Sequence, residues 1–330
     1  MRITYCPNES GSRYWRLEHP FKYLDREEGF DIRLGNGINE DEVRNSDVYV
    51  LQSCVDKAGI GLLYAYQQER GLKIVVDVDD HLEVDKDNPH FIEHENAKAY
   101  EVIKTTVEIA DMVTTTTPYL KRYLDTLNKN VVVLPNYMDM EFWDGEVLPN
   151  TSNEIRIGYL GSMTHYEDVK HIRESLLTIL EAHPEVKLIL VGDLRYRDLF
   201  EGFNVDVQLG VPFENYPSKL RGLRLDIGIA PLQEKRFNNY KSPIKAMEYG
   251  LCGIPVVASR TRFYQDFLEE GKDGYLAYRY IDWWAPLEAL ITNEKRRKRM
   301  GKALRAKVEK ECSLADKIHL WKDAYNSLWT

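Results

Sequence analysis

The sequence predicts an α/β protein built from two Rossmann-like domains that face a cleft. Short runs rich in β-branched residues alternate with longer amphipathic stretches, a pattern typical of parallel sheets covered by helices. The alternation lapses in the turn-rich stretch 136–149 and then starts again. A chain of 330 residues is long enough for two domains of the usual size. We therefore expect domains at 1–147 and 148–313, with a last helix at 314–330 that packs back on the first domain.

Each half contains the strands and helices that such a domain needs. In the first half, the predicted strands lie at 2–6, 31–34, 48–52, 73–78, 112–115 and 131–134, and the helices around 15–26, 57–70 and 97–110. In the second half, the predicted strands lie at 155–160, 187–191, 205–209, 226–230 and 255–258, and the helices at 165–183 and through 246–250. Ligands of parallel sheets bind beyond the carboxyl ends of the strands, so we look for functional residues in the loops that follow them.

Composition and charge exclude several classes of protein. Hydrophobic residues make up 43% of the chain and charged residues 29%, as in ordinary globular proteins. The net charge of -9 argues against broad, nonspecific binding of nucleic acid. One basic run, 295–299, precedes Met300, Leu304 and Val308, whose spacing predicts an amphipathic helix with a solvated basic face.

The chain carries no pattern of a membrane or secreted protein. No apolar run approaches the roughly 18 residues that a transmembrane helix needs. The first residues, 1–5, lead directly into strand-like sequence without an apolar signal region. We expect a cytoplasmic protein without stable membrane insertion.

A helix start in the second half predicts an anion site. Ser242 followed by Pro243 is typical of an N-cap and a first helical residue, and the amide groups of a helix N-terminus bind phosphate. Lys241 and Lys245 flank this end, and Glu248 lies one turn further along, where a carboxylate suits a ribose diol. The alternative is an ordinary capped helix whose Lys245 and Glu248 form a surface ion pair.

A second loop in this half offers further hydrogen-bond donors. The strand at 155–160 runs into Gly161 and Ser162, followed by Thr164 and His165. Glycine permits close approach of a ligand to the backbone, and the three polar side chains can donate to a phosphate. The spacing is not that of the dinucleotide fingerprint, so a nicotinamide cofactor is not predicted.

These motifs resemble the nucleotide-binding domain of GT-B glycosyltransferases, in particular the retaining enzymes of family 4. The matching segments are 158–165 with Asp168, 191–193, 226–232 and 241–257. The resemblance implies that Glu248 binds the donor ribose. It places the diphosphate at Ser242, Pro243, Ile244 and Lys245, and the base beside Val211 and Pro212.

The chain departs from the family pattern at three positions. Tyr240 stands where the family has the first glutamate of its Glu–seven residues–Glu pattern, which contacts the transferred sugar. Ser162 and Glu167 stand where many members carry an arginine and a lysine. By the resemblance, His165 and Lys241 are the residues that could compensate.

An acidic cluster ends a buried strand in the first half. Asp77, Asp79 and Asp80 follow the apolar run 74–76, and carboxylates so close together need a cation, a metal or water. One alternative is the Asp-x-Asp metal motif of GT-A enzymes, and another is a cap for a segment through Asn88 and Pro89. The family 4 resemblance puts Asp79 where many members have a histidine that contacts the donor sugar. Asp79 and Asp80 are then the candidates for orienting the acceptor or stabilising charge at the anomeric carbon.

The loop after the first strand is the candidate acceptor entrance. It contains Ser10 and Gly11, and GT-B enzymes commonly admit the acceptor at this loop. Arg16 follows shortly after and is a candidate contact for a donor phosphate or an acidic acceptor, or else a surface residue.

We predict a glycosyltransferase that uses a nucleoside-diphosphate sugar as co-substrate. UDP is the commonest nucleotide among the enzymes it resembles. The predicted catalytic residues are Asp79, Asp80, His165 and Lys245. The resemblance implies retention of configuration and no metal or other cofactor. A glycan, a small molecule and a modified nucleic acid all stay open as acceptors, and the oligomeric state is not predicted. The alternatives are a nucleotide-sugar epimerase of the same fold and a noncatalytic nucleotide-binding protein.

Overall fold

The computed structural model describes residues 1–86 and 90–329, which form two compact units. The first unit comprises Met1–Asp139, Tyr240–Ser242 and the C-terminal segment from Leu314. The second unit comprises Met140–Asn239 and Pro243–Ser313. Each unit contains one six-stranded sheet in which every pair of neighbouring strands is parallel, so the predicted α/β class is confirmed.

The first unit alternates strands and helices along the chain. Its strands are β1 (Arg2–Cys6), β2 (Asp31–Leu34), β3 (Val48–Gln52), β4 (Lys73–Val78), β5 (Met112–Thr115) and β6 (Val131–Val133). Its helices are α1 (His19–Leu24), α2 (Glu40–Arg44), α3 (Lys57–Arg70), α4 (Phe91–Asn96), α5 (Ala99–Ile109), α6 (Pro118–Leu124) and α15 (Leu314–Asn326). A π-helical turn at Tyr14–Glu18 precedes α1.

The sheet of the first unit has the strand order β2-β1-β3-β4-β5-β6. Alternate residues of β3 and β4 enter two different apolar clusters because successive side chains of a strand point to opposite faces. Trp321 and Tyr325 of α15 pack in the cluster that contains Val48 and Val50. Gln52 pairs with Asp77 in register, so the ends of β3 and β4 bring polar side chains together at the carboxyl edge.

The second unit repeats this alternation. Its strands are β7 (Ile155–Leu160), β8 (Val186–Gly192), β9 (Val205–Leu209), β10 (Ile227–Ala230), β11 (Val256–Ser259) and β12 (Gly274–Ala277). Its helices are α7 (Tyr166–His171), α8 (Arg173–Ala182), α9 (Tyr196–Leu199), α10 (Tyr216–Leu223), α11 (Ile244–Leu251), α12 (Arg262–Phe267), α13 (Trp284–Ile291) and α14 (Glu294–Glu311). The strand order is β12-β11-β10-β7-β8-β9.

Two features of the second unit differ from the prediction. The edge strand β12 was not predicted, because Gly-Tyr-Leu-Ala lacks the β-branched residues that mark the other strands. The continuous helix expected at 165–183 is wrong. The chain instead forms a 3-10 turn at Met163–His165, then α7 and α8, which are separated at the fully buried Ile172.

The basic run lies on α14, and its amphipathic character is confirmed. Met300, Leu304 and Val308 are buried, whereas Lys295, Lys298 and Arg299 are exposed. Among the described residues, no helix combines the length and the apolar character that crossing a bilayer requires.

Two glycines let α14 lie close to α11, the helix of the predicted phosphate site. A methyl group on Gly250 of α11 would press into Val308 and Leu304 of α14. A methyl group on Gly301 of α14 would collide with the carbonyl oxygen of Gly253, just beyond the end of α11. The position of α11 therefore depends on glycine at both places.

We expect Gly301→Ala to destabilise the protein by about 1–3 kcal/mol or more, because the backbone oxygen of Gly253 has nowhere to move without shifting the chain. Urea denaturation measures this change. Gly222→Ala on α10 is the matched control, since a methyl group there meets nothing within 4 Å. Equal stability of the two variants would contradict the close packing of α14 on the α11 end.

Candidate functional site

The helix after the Ser-Pro pair begins one residue later than predicted. α11 starts at Ile244, Pro243 is its N-cap, and no side chain caps it there. The Ser242 hydroxyl instead accepts a hydrogen bond from Asn136 Nδ2 at 2.8 Å. The N-cap prediction for Ser242 is therefore wrong, because a partner distant in sequence binds its hydroxyl. The first amide groups of α11 have no cap from the N-cap side chain, as an anion site requires.

Lys245 and Glu248 of α11 form an ion pair, but not the surface pair of the alternative interpretation. Lys245 Nζ lies 2.8 Å from Glu248 Oε2, and the Glu248 side chain is only 3% exposed. The Tyr216 hydroxyl donates to the same carboxylate oxygen at 2.8 Å and accepts from Lys245 Nζ at 2.7 Å. A buried carboxylate one turn into the helix is thus held by a cation and a phenol.

The Gly-Ser turn after β7 packs tightly against the next strand end. Gly192, at the end of β8, has a φ of +128°, and a methyl group there would collide with the carbonyl oxygen of Gly161. Ser162 is exposed, and its hydroxyl lies 2.6 Å from that of Thr164. The loop thus presents hydroxyl groups at the carboxyl edge of the second sheet.

His165 is oriented by a buried carboxylate. Its Nδ1 lies 2.8 Å from Asp168 Oδ2. The other oxygen, Oδ1, accepts from the backbone amide of Gln233 at 2.8 Å. The imidazole is therefore held in a fixed orientation, with 22% of its side chain exposed.

The loop beside the predicted base site leads into an aromatic stack. Val211 is half-buried and Pro212 is exposed. Phe213, the next residue, stacks parallel on Phe142 with ring centroids 5.2 Å apart. It also lies parallel to Tyr216, with the ring centroids 6.1 Å apart. The loop is thus joined through aromatic rings to the Glu248 group.

In the first unit, Arg16 is a buried structural residue. Its guanidinium bonds to both oxygens of Asp77, with Nε–Oδ1 at 3.0 Å and Nη2–Oδ2 at 2.8 Å. Nη1 donates to the Leu134 carbonyl and to Asn136 Oδ1. Thr114 donates to Asp77 as well. Because its side chain is buried and all three of its nitrogens bind protein groups, Arg16 is not placed to meet a ligand, which corrects the expected phosphate or acceptor contact.

Asp79 and Asp80 lie just beyond the end of β4. Burial, followed by the charges of Asp80 and Asp77, raises the pKa of Asp79 to about 6, and a hydrogen bond from Ser12 partly offsets the rise. Asp80 Oδ1 lies 3.6 Å from Lys241 Nζ. Lys241 thus pairs with this carboxylate in the first unit.

Two alternative interpretations of this acidic cluster are a cap for the following segment and an Asp-x-Asp metal site. The segment through Asn88 and Pro89, which one alternative has these carboxylates cap, lies outside the described residues. Asp77 is bound by Arg16 and Thr114, so it is not arranged as a metal ligand. Within residues 1–86 and 90–329, no group of three or more histidine, cysteine or acidic side chains is arranged to hold a metal ion.

Tyr240, which replaces the family glutamate, belongs to an aromatic cluster of the first unit. Its ring stacks on His81 with centroids 4.8 Å apart, and His81 in turn contacts Tyr123 at 4.5 Å. Its backbone carbonyl accepts from the Thr117 hydroxyl at 3.3 Å. Tyr240, Lys241 and Ser242, which precede the N-cap Pro243 of α11, therefore each bind a partner within the first unit.

The loop after β1 is exposed where the acceptor was predicted to enter. Ser10 and Gly11 are exposed, and a side chain at Gly11 would meet nothing within 4 Å. The Ser12 hydroxyl lies 2.7 Å from that of Ser10 and accepts from Gln52 Nε2 at 2.9 Å. Gln52, which the sequence did not single out, links this loop to the end of β3.

The family comparison covers the second unit's site. Residues 144–307 match the family described as glycosyl transferases group 1. This part of the chain belongs to that family. The matched range includes the Gly-Ser turn, the loop at 211–212 and α11, but none of the acidic cluster at 77–80. A comparison with curated proteins gives no match.

Solved structures share the fold of this glycosyltransferase over its whole length. Sucrose-phosphate synthase from Thermosynechococcus elongatus is 13% identical, with a TM-score of 0.72, covering 100% of this chain and 99% of that one. Anabaena HepE in complex with UDP and glucose is also 13% identical, with a TM-score of 0.68 and coverage of 99% and 100%. The catalytic domain of starch synthase IV from Arabidopsis thaliana, bound to ADP and acarbose, is 10% identical, with a TM-score of 0.70 and 99% coverage of both chains. The predicted GT-B fold is confirmed.

Proposed function

We propose that this glycosyltransferase moves a sugar from a nucleoside-diphosphate sugar to a hydroxyl acceptor. The second unit holds the donor, and the first unit supplies the acceptor site. The observation that carries the proposal is the buried Glu248 beside Lys245 in the first turns of α11, within the part of the chain that matches the family. A carboxylate suited to a ribose diol then lies one turn from amide groups suited to a diphosphate.

The diphosphate in this proposal binds at the first turn of α11. The amide groups of that turn carry partial positive charge, and Lys245 adds a full charge. Ser162 and Thr164 supply further donors from the loop after β7, and His165, whose Nδ1 faces Asp168, donates from Nε2 when the ring is protonated. These groups stabilise the negative charge that develops on the diphosphate as the sugar leaves, so no metal is needed for that task.

Two nucleotide bases have support. Uracil is the base that the family resemblance favours, and HepE was solved with UDP and glucose. Starch synthase IV was solved with ADP, which makes adenine the second base to test. In our proposal, the base lies beside Val211 and Pro212.

The acceptor side uses the carboxylates beyond β4. Asp79 accepts a hydrogen bond from the acceptor hydroxyl or stabilises positive charge at the anomeric carbon, and both roles need the ionised form. Asp80 holds Lys241 at this edge. The exposed loop with Ser10 and Gly11 admits the acceptor, and the transfer retains the configuration of the sugar.

Product analysis of the donor tests the proposal. UDP-glucose and ADP-glucose are incubated with the protein in the presence of EDTA and followed by ³¹P and ¹H NMR, with water as the acceptor. We expect slow release of the free nucleoside diphosphate and a sugar first released with its configuration retained, and loss of both in Glu248→Ala. A sugar that changes configuration while still attached to the nucleotide would show an epimerase, and donors that are bound but left unchanged would favour a noncatalytic nucleotide-binding protein.

A further inference from the structure

The Tyr216 hydroxyl touches both charged residues of the proposed donor site. Tyr216 is the first residue of α10, and its hydroxyl completes a triangle with Lys245 Nζ and Glu248 Oε2. The three sides of this triangle measure 2.7 Å, 2.8 Å and 2.8 Å. Each member of the group therefore holds the other two.

The chemistry of the three groups fixes the direction of each hydrogen bond. An ammonium group only donates and a carboxylate only accepts, whereas a phenol does both. Tyr216 must therefore accept from Lys245 and donate to Glu248. Burial, together with the Glu248 charge, raises the pKa of Tyr216 well above its usual value, so the phenol keeps its proton at neutral pH.

The ring of Tyr216 is itself held in place. Phe213 lies parallel to it, Trp143 meets it edge-on at 6.0 Å between ring centroids, and the Lys245 ammonium lies 5.0 Å from its ring centroid. Because the ring is fixed on these sides, its hydroxyl has one position. Since that position is next to Glu248 Oε2, the plane of the carboxylate and the direction of its second oxygen, Oε1, are set as well.

We propose that Tyr216 is a positioning residue that orients Glu248 to receive the vicinal hydroxyl pair of the donor ribose. This inference rests on the proposed function, because it takes the ligand of Glu248 to be a nucleoside. Tyr216 occupies one carboxylate oxygen and thereby directs the other to the diol. The discrimination between ribose and 2′-deoxyribose therefore depends on the Tyr216 hydroxyl.

The test compares the affinities of UDP and 2′-deoxy-UDP, or of the ADP pair if the protein prefers adenine. Titration calorimetry is run on the wild type, Tyr216→Phe and Glu248→Gln. Tyr196→Phe is the matched control, since Tyr196 is a fully buried tyrosine of the same unit whose hydroxyl has no hydrogen-bond partner among the described residues. We expect the wild type and Tyr196→Phe to prefer the ribonucleotide by about tenfold or more. Tyr216→Phe is expected to lose most of this preference, whatever the loss of its two hydrogen bonds does to the melting temperature.

The outcomes separate the inference from the function on which it rests. If Glu248→Gln loses the ribose preference and Tyr216→Phe keeps it, Tyr216 does not position the carboxylate and the inference is overturned. If both variants keep the preference, Glu248 does not bind the diol, which overturns the inference together with the ribose assignment. If the wild type binds no nucleoside diphosphate, the proposed function fails first and the inference with it. A purely structural tyrosine would change the melting temperature without changing the ratio of the two affinities.

Discussion

Asp79→Asn is expected to lower the rate of donor turnover by about 10²–10³-fold, because a neutral amide cannot stabilise positive charge at the reacting carbon. The pKa of about 6 adds a pH signature. The wild-type rate should rise with pH up to about 6 and then level off, as the carboxylate ionises. The variant should have no such rising limb. Release of nucleoside diphosphate, followed between pH 4.5 and 8, measures both effects.

Stability measurements on Asp79→Asn test whether unfolding, rather than the lost carboxylate, lowers the rate. An aspartate has a pKa of about 3.9 in an unfolded chain, so the folded protein binds this proton more tightly than the unfolded one. The contribution of Asp79 to stability is therefore present below about pH 4 and lost as the pH rises through 6. Asp79→Asn should match the wild type near pH 4 and be more stable at pH 8. Asp31→Asn, at an exposed carboxylate of β2, is the control for rate. If Asp79→Asn released nucleoside diphosphate at the wild-type rate, the proposed role of Asp79 would be contradicted.

Arg16→Leu is expected to cost about 3–5 kcal/mol of stability, because it leaves Asp77 buried and charged without its partner. Urea denaturation followed by circular dichroism measures the loss. Arg33→Leu is the matched control, since Arg33 pairs with Asp31 on the surface and its removal should change stability little. A double Arg16→Leu, Asp77→Leu variant should be more stable than the single one. An Arg16→Leu variant as stable as Arg33→Leu would contradict the buried ion pair.

The strands could be predicted because burial on both faces of a parallel sheet leaves a continuous apolar run in the sequence. β3, β4 and β7 have the predicted bounds for this reason. β12 was not predicted, because it is a short strand at the sheet edge that begins with glycine. Local composition thus predicts the sheets, including the edge strands β2, β6 and β9, and fails at β12, which lacks β-branched residues.

The site was predictable where its residues share one helix and unpredictable where partners are distant. Lys245 and Glu248 lie three residues apart, so their proximity follows from helix geometry. The partners of Arg16 and Ser242 lie far away in the sequence, at Asp77 and Asn136, and no local pattern indicates them. Tyr216 was missed for the same reason.

The most direct test of the donor site is a thermal-shift panel of UDP, GDP, ADP and CDP on the wild type and Glu248→Ala, first with EDTA and then with Mg²⁺ or Mn²⁺. A ligand at 100 times its Kd stabilises a protein by about 2.7 kcal/mol, which raises the melting temperature of domains of this size by several degrees. We predict that one diphosphate gives such a shift in EDTA and that Glu248→Ala loses it. A shift that appears only with metal would contradict binding by the α11 start and Lys245 alone. No shift with any nucleotide, or an equal shift in both proteins, would contradict the donor site itself.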